Sequence, residues 1–70
     1  MEYIFTAHAL FRVGKRKLSE EEVLEAIKQP DITFKKHSKY YAQKKFMIGS
    51  IEVVYEKTES YIKIITVYWL

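Results

Sequence analysis

Residues 19–36, SEEEVLEAIKQPDITFKK, decide the fold, because the spacing of apolar side chains changes here from helical to strand-like. Ser19 followed by Glu22 is a capping box, which predicts a helix start. Pro30 predicts its end. The apolar stripe of this helix consists of Val23, Leu24 and Ile27. From Ile32 onward apolar and polar residues alternate, so strands are expected to follow the helix.

A second helix is predicted upstream of this segment. Thr6 is a candidate N-cap for a helix that runs to about Lys15, and residues 2–5 form either a short strand or an extended lead-in. Projection of this helix at about 100° per residue separates two faces. The predicted apolar side carries Ala7, Leu10, Val13 and Gly14, and the opposite side carries His8, Arg12, Lys15 and Arg16. We therefore expect the apolar side to pack on the sheet.

Downstream, a series of strands is separated by turn signals. The predicted strands are Ile32–Lys36, Lys39–Phe46, Ile51–Glu56 and Tyr61–Trp69, with turns at His37-Ser38, at Gly49-Ser50 and between residues 57 and 60. The last two strands read as a β-hairpin. Helix, helix and then a meander predict an α+β fold, with two short N-terminal helices on one face of a three- to four-stranded antiparallel sheet.

Length and composition restrict the class of protein. Seventy residues allow a single domain, residues 1–70, and a hydrophobic fraction of 49% favours a packed core over disorder. The absence of cysteine excludes disulfides and thiolate metal sites. With two histidines far apart in sequence, no metal and no cofactor are expected. The start of the chain shows no export signal and no apolar run is long enough to span a membrane, so a cytoplasmic protein without membrane contact is expected.

The basic residues are strongly clustered, although the net charge is only +3. One cluster consists of Arg12, Lys15, Arg16 and Lys17, and the other of Lys35, Lys36, Lys39, Lys44 and Lys45. Such segregation suits a polyanionic partner such as nucleic acid. It is equally typical of loops that only keep a protein soluble, and both interpretations stand.

The chain also resembles a known family. The matching residues are Phe5-Thr6-Ala7-His8-Ala9, Arg12, Arg16, Leu18-Ser19, Glu22-Val23, Pro30-Asp31, Ile51, Val53-Val54 and Ile65-Thr66-Val67-Tyr68. They resemble a prokaryotic domain of unknown function with a Thr-x-His-Ala-x-x-Arg-x-x-x-Arg signature, generally grouped with the RelE/ParE-like toxins in the barnase–EndoU–colicin–RelE fold class. The resemblance implies a RelE-like fold and a metal-independent ribonuclease of a toxin–antitoxin system.

The resemblance and the chemistry of the residues together give a candidate site. His8 is suited to acid/base work near neutral pH, and Arg12 and Arg16 to binding phosphates. Thr66 is the third candidate catalytic residue, with Tyr68 on the same side of the last strand. We expect His8, Arg12 and Thr66 to share a cleft along the seam between helix and sheet. The alternative is that these side chains are structural.

A separate RNA-binding surface is expected in the second basic cluster. The candidate contacts in this cluster are Lys35, Lys36, Lys39, Tyr40, Lys44 and Lys45, and Arg16 and Tyr68 are further RNA-binding candidates at the rim of the cleft. Tyrosines between lysines are typical of single-strand binding surfaces, because rings stack on bases. Strand alternation allows only one of Tyr40 and Tyr41 to face outward.

Three functions therefore compete. The first is a toxin-like endoribonuclease that acts on RNA and is restrained by an antitoxin protein. The second is a module on the same fold that binds RNA or protein without catalysis. The third is a homodimer formed through the apolar last strand, which ends at Leu70.

Overall fold

In the computed structural model, which describes residues 1–70, two helices follow the first strand in the chain, and four further strands come after them. The elements in chain order are β1 Glu2–Phe5, α1 Ala7–Lys15, α2 Glu20–Lys28, β2 Ile32–Lys36, β3 Lys39–Phe46, β4 Gly49–Lys57 and β5 Tyr61–Trp69. The α+β class and both helices are confirmed.

Both helices begin at the predicted caps. The Ala9 backbone N–H donates to Thr6 Oγ1 at 3.0 Å. At α2 the Glu22 backbone N–H donates to Ser19 Oγ at 3.1 Å, and the Ser19 backbone N–H donates to Glu22 Oε1 at 2.9 Å. The reciprocal capping box is therefore formed, and it satisfies donors that a helix start leaves without intrahelical partners.

Helix α1 ends at Lys15, as predicted, and the residues after it close its last turn. Lys17 adopts a left-handed conformation with φ of 59°. The Leu18 backbone N–H donates to the Val13 carbonyl, and that of Lys17 donates to the Gly14 carbonyl. This pair of bonds is a Schellman motif, with lysine at the position that usually carries glycine.

All five strands form one mixed sheet in the order β1-β5-β4-β3-β2. Strands β2 to β5 pair antiparallel, but β1 pairs parallel to β5, with Glu2 opposite Tyr61 and Phe5 opposite Ile64. The prediction of three to four antiparallel strands is therefore corrected in strand number and in the direction of one strand. Residues 2–5 are too few to show an alternation of apolar and polar side chains, and their partner strand, β5, lies at the opposite end of the sequence.

Two tight turns connect β2 to β3 and β3 to β4. His37 and Ser38 both have positive φ, at 52° and 65°, which is the requirement of a type I′ hairpin turn at its two central residues. The turn expected at Gly49-Ser50 lies instead at residues 47 and 48, and Gly49 starts β4. Gly49 has φ of 145°, and a Cβ there would lie 3.3 Å from the Trp69 ring, so a side chain would be both strained and crowded.

The core lies between the two helices and one face of the sheet. Its buried residues are Ala9, Val13, Val23, Ala26, Ile27, Ala42, Ile51, Val53, Tyr55, Ile62, Ile64 and Val67. Strand residues in this set come from one side of the sheet, since side chains alternate along a strand. Packing of both helices on that one face agrees with the prediction.

Helix α1 is rotated relative to its predicted orientation. Ala9 and Val13 are buried, whereas Leu10 is 46% exposed and Ala7 is also exposed. The helix face that packs on the sheet is therefore rotated by about 100°, the angle between consecutive residues, from the predicted face. Ala9 is fully buried, and its small side chain lets the helix backbone approach β5 closely. Counting the larger Leu10 as a core residue was the error.

Strand β5 contains a β-bulge at Ile65. Val54 is paired with Thr66, but the next residue of β4, Tyr55, is paired with Ile64, so Ile65 has no partner. The extra residue changes which positions face the helices. Ile62 and Ile64 face them before the bulge, and Val67 and Trp69 after it.

None of the helices has both the length and the apolar character that a membrane span requires.

Candidate nucleic-acid interface on the helix-free face of the sheet

The side of the sheet opposite the helices carries an organised set of side chains, which we call the helix-free face. Strand alternation and register place these residues on it: Ile32, Phe34, Lys36, Lys39, Tyr41, Gln43, Lys45, Ser50, Glu52, Val54, Glu56, Lys63, Thr66 and Tyr68. Cross-strand pairs arrange them in rows. One row runs Phe34, Tyr41, Val54, Thr66, and the next Ile32, Gln43, Glu52, Tyr68.

An aromatic pair dominates the first row. The rings of Phe34 and Tyr41 are stacked, with centroids 4.9 Å apart and planes inclined by 4°. Phe34 is 42% exposed at the β2 edge of the sheet. Val54, the next residue in the row, is buried although no helix covers this face. The row therefore offers an accessible aromatic surface on a packed base.

A buried carboxylate occupies the centre of the second row. Glu52 is only 6% exposed. Its Oε2 accepts from Gln43 Nε2 at 2.7 Å, and its Oε1 accepts from the Tyr68 hydroxyl. Neither of the two salt bridges in the structure involves Glu52. The hydrogen bond from the Tyr68 hydroxyl to Glu52, together with burial, raises the pKa of Tyr68 to about 12, so the phenol remains a hydrogen-bond donor at neutral pH.

Lysines border the aromatic pair. Lys36 and Lys45 are exposed and form no salt bridge. Lys39 Nζ lies 3.5 Å from Glu56 Oε2, which is a surface contact of little energy. Lys36, Lys39 and Lys45 thus place mobile positive charge beside the rings.

The predicted RNA-binding residues are divided between the two sides of the sheet. Tyr40 lies on the helix side, where its ring stacks on Tyr55 with centroids 5.4 Å apart. Lys35 Nζ lies over the Tyr40 ring, 5.3 Å from its centroid. Lys44 Nζ donates to the Gln29 carbonyl at 2.9 Å and lies 3.9 Å from a Glu25 carboxylate oxygen. Lys36, Lys39, Lys45 and Tyr68 are on the helix-free face. The second basic cluster therefore does not form one surface.

The predicted catalytic residues also lie on different sides. His8 is exposed and Arg12 half-buried, both on α1, which packs on the helix side. Thr66 is paired with Val54 on the helix-free face, together with Tyr68. The structure does not bring Thr66 together with His8 and Arg12 in one cleft. The reason is that α1 covers the face of β5 opposite Thr66. The roles of these residues remain predictions.

Arg16 lies closer to the core than expected, because α1 is rotated. Its Nε is buried without a hydrogen-bond partner, and its backbone carbonyl accepts from Trp69 Nε1 at 3.3 Å. Arg16 therefore ties the end of α1 to the end of β5, and its guanidinium is only partly available for a ligand.

Sequence reasoning missed Phe34, Gln43 and Glu52. One signal was present for Glu52, a single charge inside the apolar run from Ile51 to Tyr55, which is unusual in a central strand. Phe34 and Gln43 carry no such signal, since their importance depends on the strands beside them. The structure brings together no three His, Asp or Glu side chains that could hold a metal ion.

Comparison with known proteins assigns a family. The profile of a domain of unknown function, DUF4258, matches residues 5–69. The chain belongs to this family. The DUF4258 assignment agrees with the uncharacterised family expected from the sequence. No curated protein and no solved structure shows significant similarity to the chain. The relationship of this DUF4258 domain to RelE-type toxins therefore stays a prediction.

Proposed function

We propose that this DUF4258 domain binds single-stranded RNA on the helix-free face of its sheet. The observation that carries the proposal is the stacked pair of Phe34 and Tyr41, accessible at the β2 edge and bordered by lysines. Any of the four bases can stack on an exposed ring, and the interaction contributes roughly 1–3 kcal/mol per base.

The charges on this face suit a phosphate backbone. Lys36 is two residues from Phe34 and Lys45 four residues from Tyr41, on opposite sides of the aromatic pair along the strands. Neither side chain forms a salt bridge, and the Lys45 backbone N–H donates to the Asp31 carboxylate at 2.7 Å. A strand of RNA that stacks one base on Phe34 would pass between the two lysines. Glu52, the nearest acid in the adjoining row, is buried and its carboxylate oxygens face donors, so it repels phosphate less than an exposed carboxylate.

Replacement of one ring tests the stacking contact. Phe34→Ala should weaken binding of a short single-stranded RNA by roughly 5- to 100-fold, measured by fluorescence anisotropy. Phe11→Ala is the matched control, since Phe11 is 61% exposed on α1 and away from this face. Equal affinity of both variants, or no binding by the unmodified protein at low salt, contradicts the proposal.

Salt dependence tests the phosphate contacts in the same assay. Each of Lys36→Ala and Lys45→Ala should reduce the slope of log affinity against log salt by about 0.7. Lys57→Ala serves as the control, because Lys57 pairs with Ile62 at the far end of β4. A slope that is the same for all three variants would remove the lysines from the interface.

A toxin-like endoribonuclease, restrained by an antitoxin, is the second candidate. It is favoured by His8, which is exposed and without an ion pair one helical turn before Arg12. An accessible imidazole with a cation beside it can transfer a proton while the arginine binds phosphate. This site would lie on the α1 side, apart from the helix-free face.

Removal of the imidazole tests catalysis. His8→Ala should reduce RNA cleavage in a chelator-containing buffer by roughly 10²- to 10⁴-fold. Its free energy of unfolding should stay unchanged, because the side chain is exposed. Growth arrest on expression of the wild type, relieved by His8→Ala, would place the activity in a toxin setting. Cleavage by the variant at the wild-type rate excludes His8 as the acid/base group.

A further inference from the structure

The second row of the helix-free face contains a side-chain amide that is held in one orientation. Gln43 Nε2 donates to Glu52 Oε2 at 2.7 Å. A carboxylate only accepts hydrogen bonds, so the nitrogen of the amide, and not its oxygen, must face Glu52. The Gln43 Oε1 and the second N–H of Nε2 then point away from Glu52. Gln43 Oε1 is not among the buried polar atoms without a partner, which leaves it open to solvent.

Glu52, which holds the Gln43 amide, is hydrogen-bonded through both of its carboxylate oxygens. The Tyr68 hydroxyl donates to the other carboxylate oxygen of Glu52, and only 6% of Glu52 is exposed. A buried carboxylate without a cation is a poor source of stability, and apolar residues of similar size often do better. Its presence is explained if the orientation of Gln43 matters for a ligand.

A small cavity lies beside Gln43, which forms part of its lining. It measures about 110 Å³, and it is lined by Asp31, Ile32, Gln43, Lys44, Lys45, Ser50 and Leu70. Pockets for whole metabolites measure roughly 300–1,000 Å³. This smaller cavity has a volume suited only to the edge of one flat ring, and its lining is mainly polar, with Ile32 and Leu70 as the apolar residues. The Phe34–Tyr41 row is two residues away along the strands, or about 7 Å, so a base resting against Phe34 can turn its edge towards Gln43.

We propose that Gln43 reads adenine in the bound RNA strand and that Glu52 positions its amide. The inference rests on the proposed binding of single-stranded RNA at this face. A glutamine amide offers one acceptor and one donor side by side, which is the pattern that pairs with N6 and N7 of adenine. Gln43 is the specificity-determining residue and Glu52 a positioning residue.

The test compares the affinities of oligoadenylate, oligouridylate and oligocytidylate of equal length at one salt concentration. The wild type should bind oligoadenylate at least about fivefold more tightly than the other two. Gln43→Met keeps the length of the side chain but removes both hydrogen-bonding groups, so its affinities for the three strands should become equal. Gln29→Met is the matched control, because Gln29 is exposed at the end of α2, and it should keep the wild-type preference.

Glu52→Gln tests the positioning role. This variant should lose the preference for oligoadenylate while its affinity for oligouridylate stays at the wild-type value. If the substitution only lowers stability, all three affinities should fall equally, and that result overturns the positioning role of Glu52. The adenine-reading role of Gln43 is then decided by the Gln43→Met comparison.

The remaining outcomes separate the inference from the proposed function. Equal binding of the three strands by the wild type, or an adenine preference that survives in Gln43→Met, overturns the inference and leaves RNA binding intact. No binding of any strand overturns the proposed function, and the inference with it.

Discussion

Glu52 is a residue whose burial does not favour the stability of this small protein. It is the only charged side chain among the buried residues, and its two partners are neutral donors. Transfer of a carboxylate out of water is unfavourable, and neutral donors recover only part of that free energy. Gln43 and Tyr68 both donate to this side chain, so removal of either donor should lower the free energy of unfolding.

Tyr68→Phe removes one of these donors. It should lower the free energy of unfolding at neutral pH by roughly 1–3 kcal/mol, because a buried carboxylate loses a hydrogen bond. Tyr61→Phe is the control, since no hydrogen bond of the Tyr61 hydroxyl is formed in the structure. Denaturant unfolding of both variants checks the prediction, and equal effects would contradict it.

The pH dependence of this difference has a definite sign. The pKa of Tyr68 is about 12 in the folded protein, above its ordinary value of 10.0. A group whose pKa is raised by folding stabilises the protein fully below the unfolded value. The stability difference between wild type and Tyr68→Phe should therefore be constant up to about pH 10 and decrease as the pH rises towards about 12. An increase over that range would show that Tyr68 is not the donor.

At the scale of single elements, local chemistry decides most boundaries. The capping box at Ser19 and the turn at His37-Ser38 were predictable because the residues that form them are adjacent in sequence. The end of α1 was predicted at about Lys15 and lies there, although Lys17 takes the left-handed position without the glycine that normally marks it. The turn expected at Gly49-Ser50 was misplaced, because Gly49 is used at the start of β4 and the turn lies at residues 47 and 48.

The type I′ turn offers a test of this local chemistry. Ser38 has φ of 65°, a conformation that glycine adopts without steric conflict. Ser38→Gly should raise the free energy of unfolding by up to about 1 kcal/mol. Ser60→Gly, in a turn residue without positive φ, should lower it by a few tenths of a kcal/mol because the unfolded chain gains entropy. Urea denaturation measures both changes, and a loss of stability in Ser38→Gly would contradict the turn type.

At the scale of the whole molecule, the sequence predicts the class and order of elements but not how distant segments meet. The alternation after Ile32 predicts the strands β2 to β5 and their hairpins, because each partner follows closely in the chain. The pairing of β1 with β5 joins residues 2–5 to residues 61–64, and no local pattern records it. The rotation of α1 has a similar origin, since the close approach of Ala9 to the sheet depends on the whole core.

The candidate site was harder to predict than the fold for the same reason. Charge clusters in the sequence predicted a single basic surface, but strand alternation sends Lys35 and Lys44 to one side and Lys36 and Lys45 to the other. The aromatic pair of Phe34 and Tyr41 becomes visible only when the register of β2 and β3 is known. Surfaces on sheets are defined by register, and register is a property of the assembled molecule.

The unpaired Ile65 has a further consequence for how this chain can change in length. Deletion of one residue within β5 before the bulge would turn Ile62 away from the helices, and deletion after it would exchange Val67 with Thr66 or Tyr68. An insertion would have the same effect, whereas deletion of Ile65 itself would restore regular alternation and keep Ile62, Ile64 and Val67 on the helix side. Length variation is instead accommodated between residues 58 and 60, which are exposed and lie outside the strands. Segment swaps and inserted tags should use that turn and leave residues 61–69 uninterrupted.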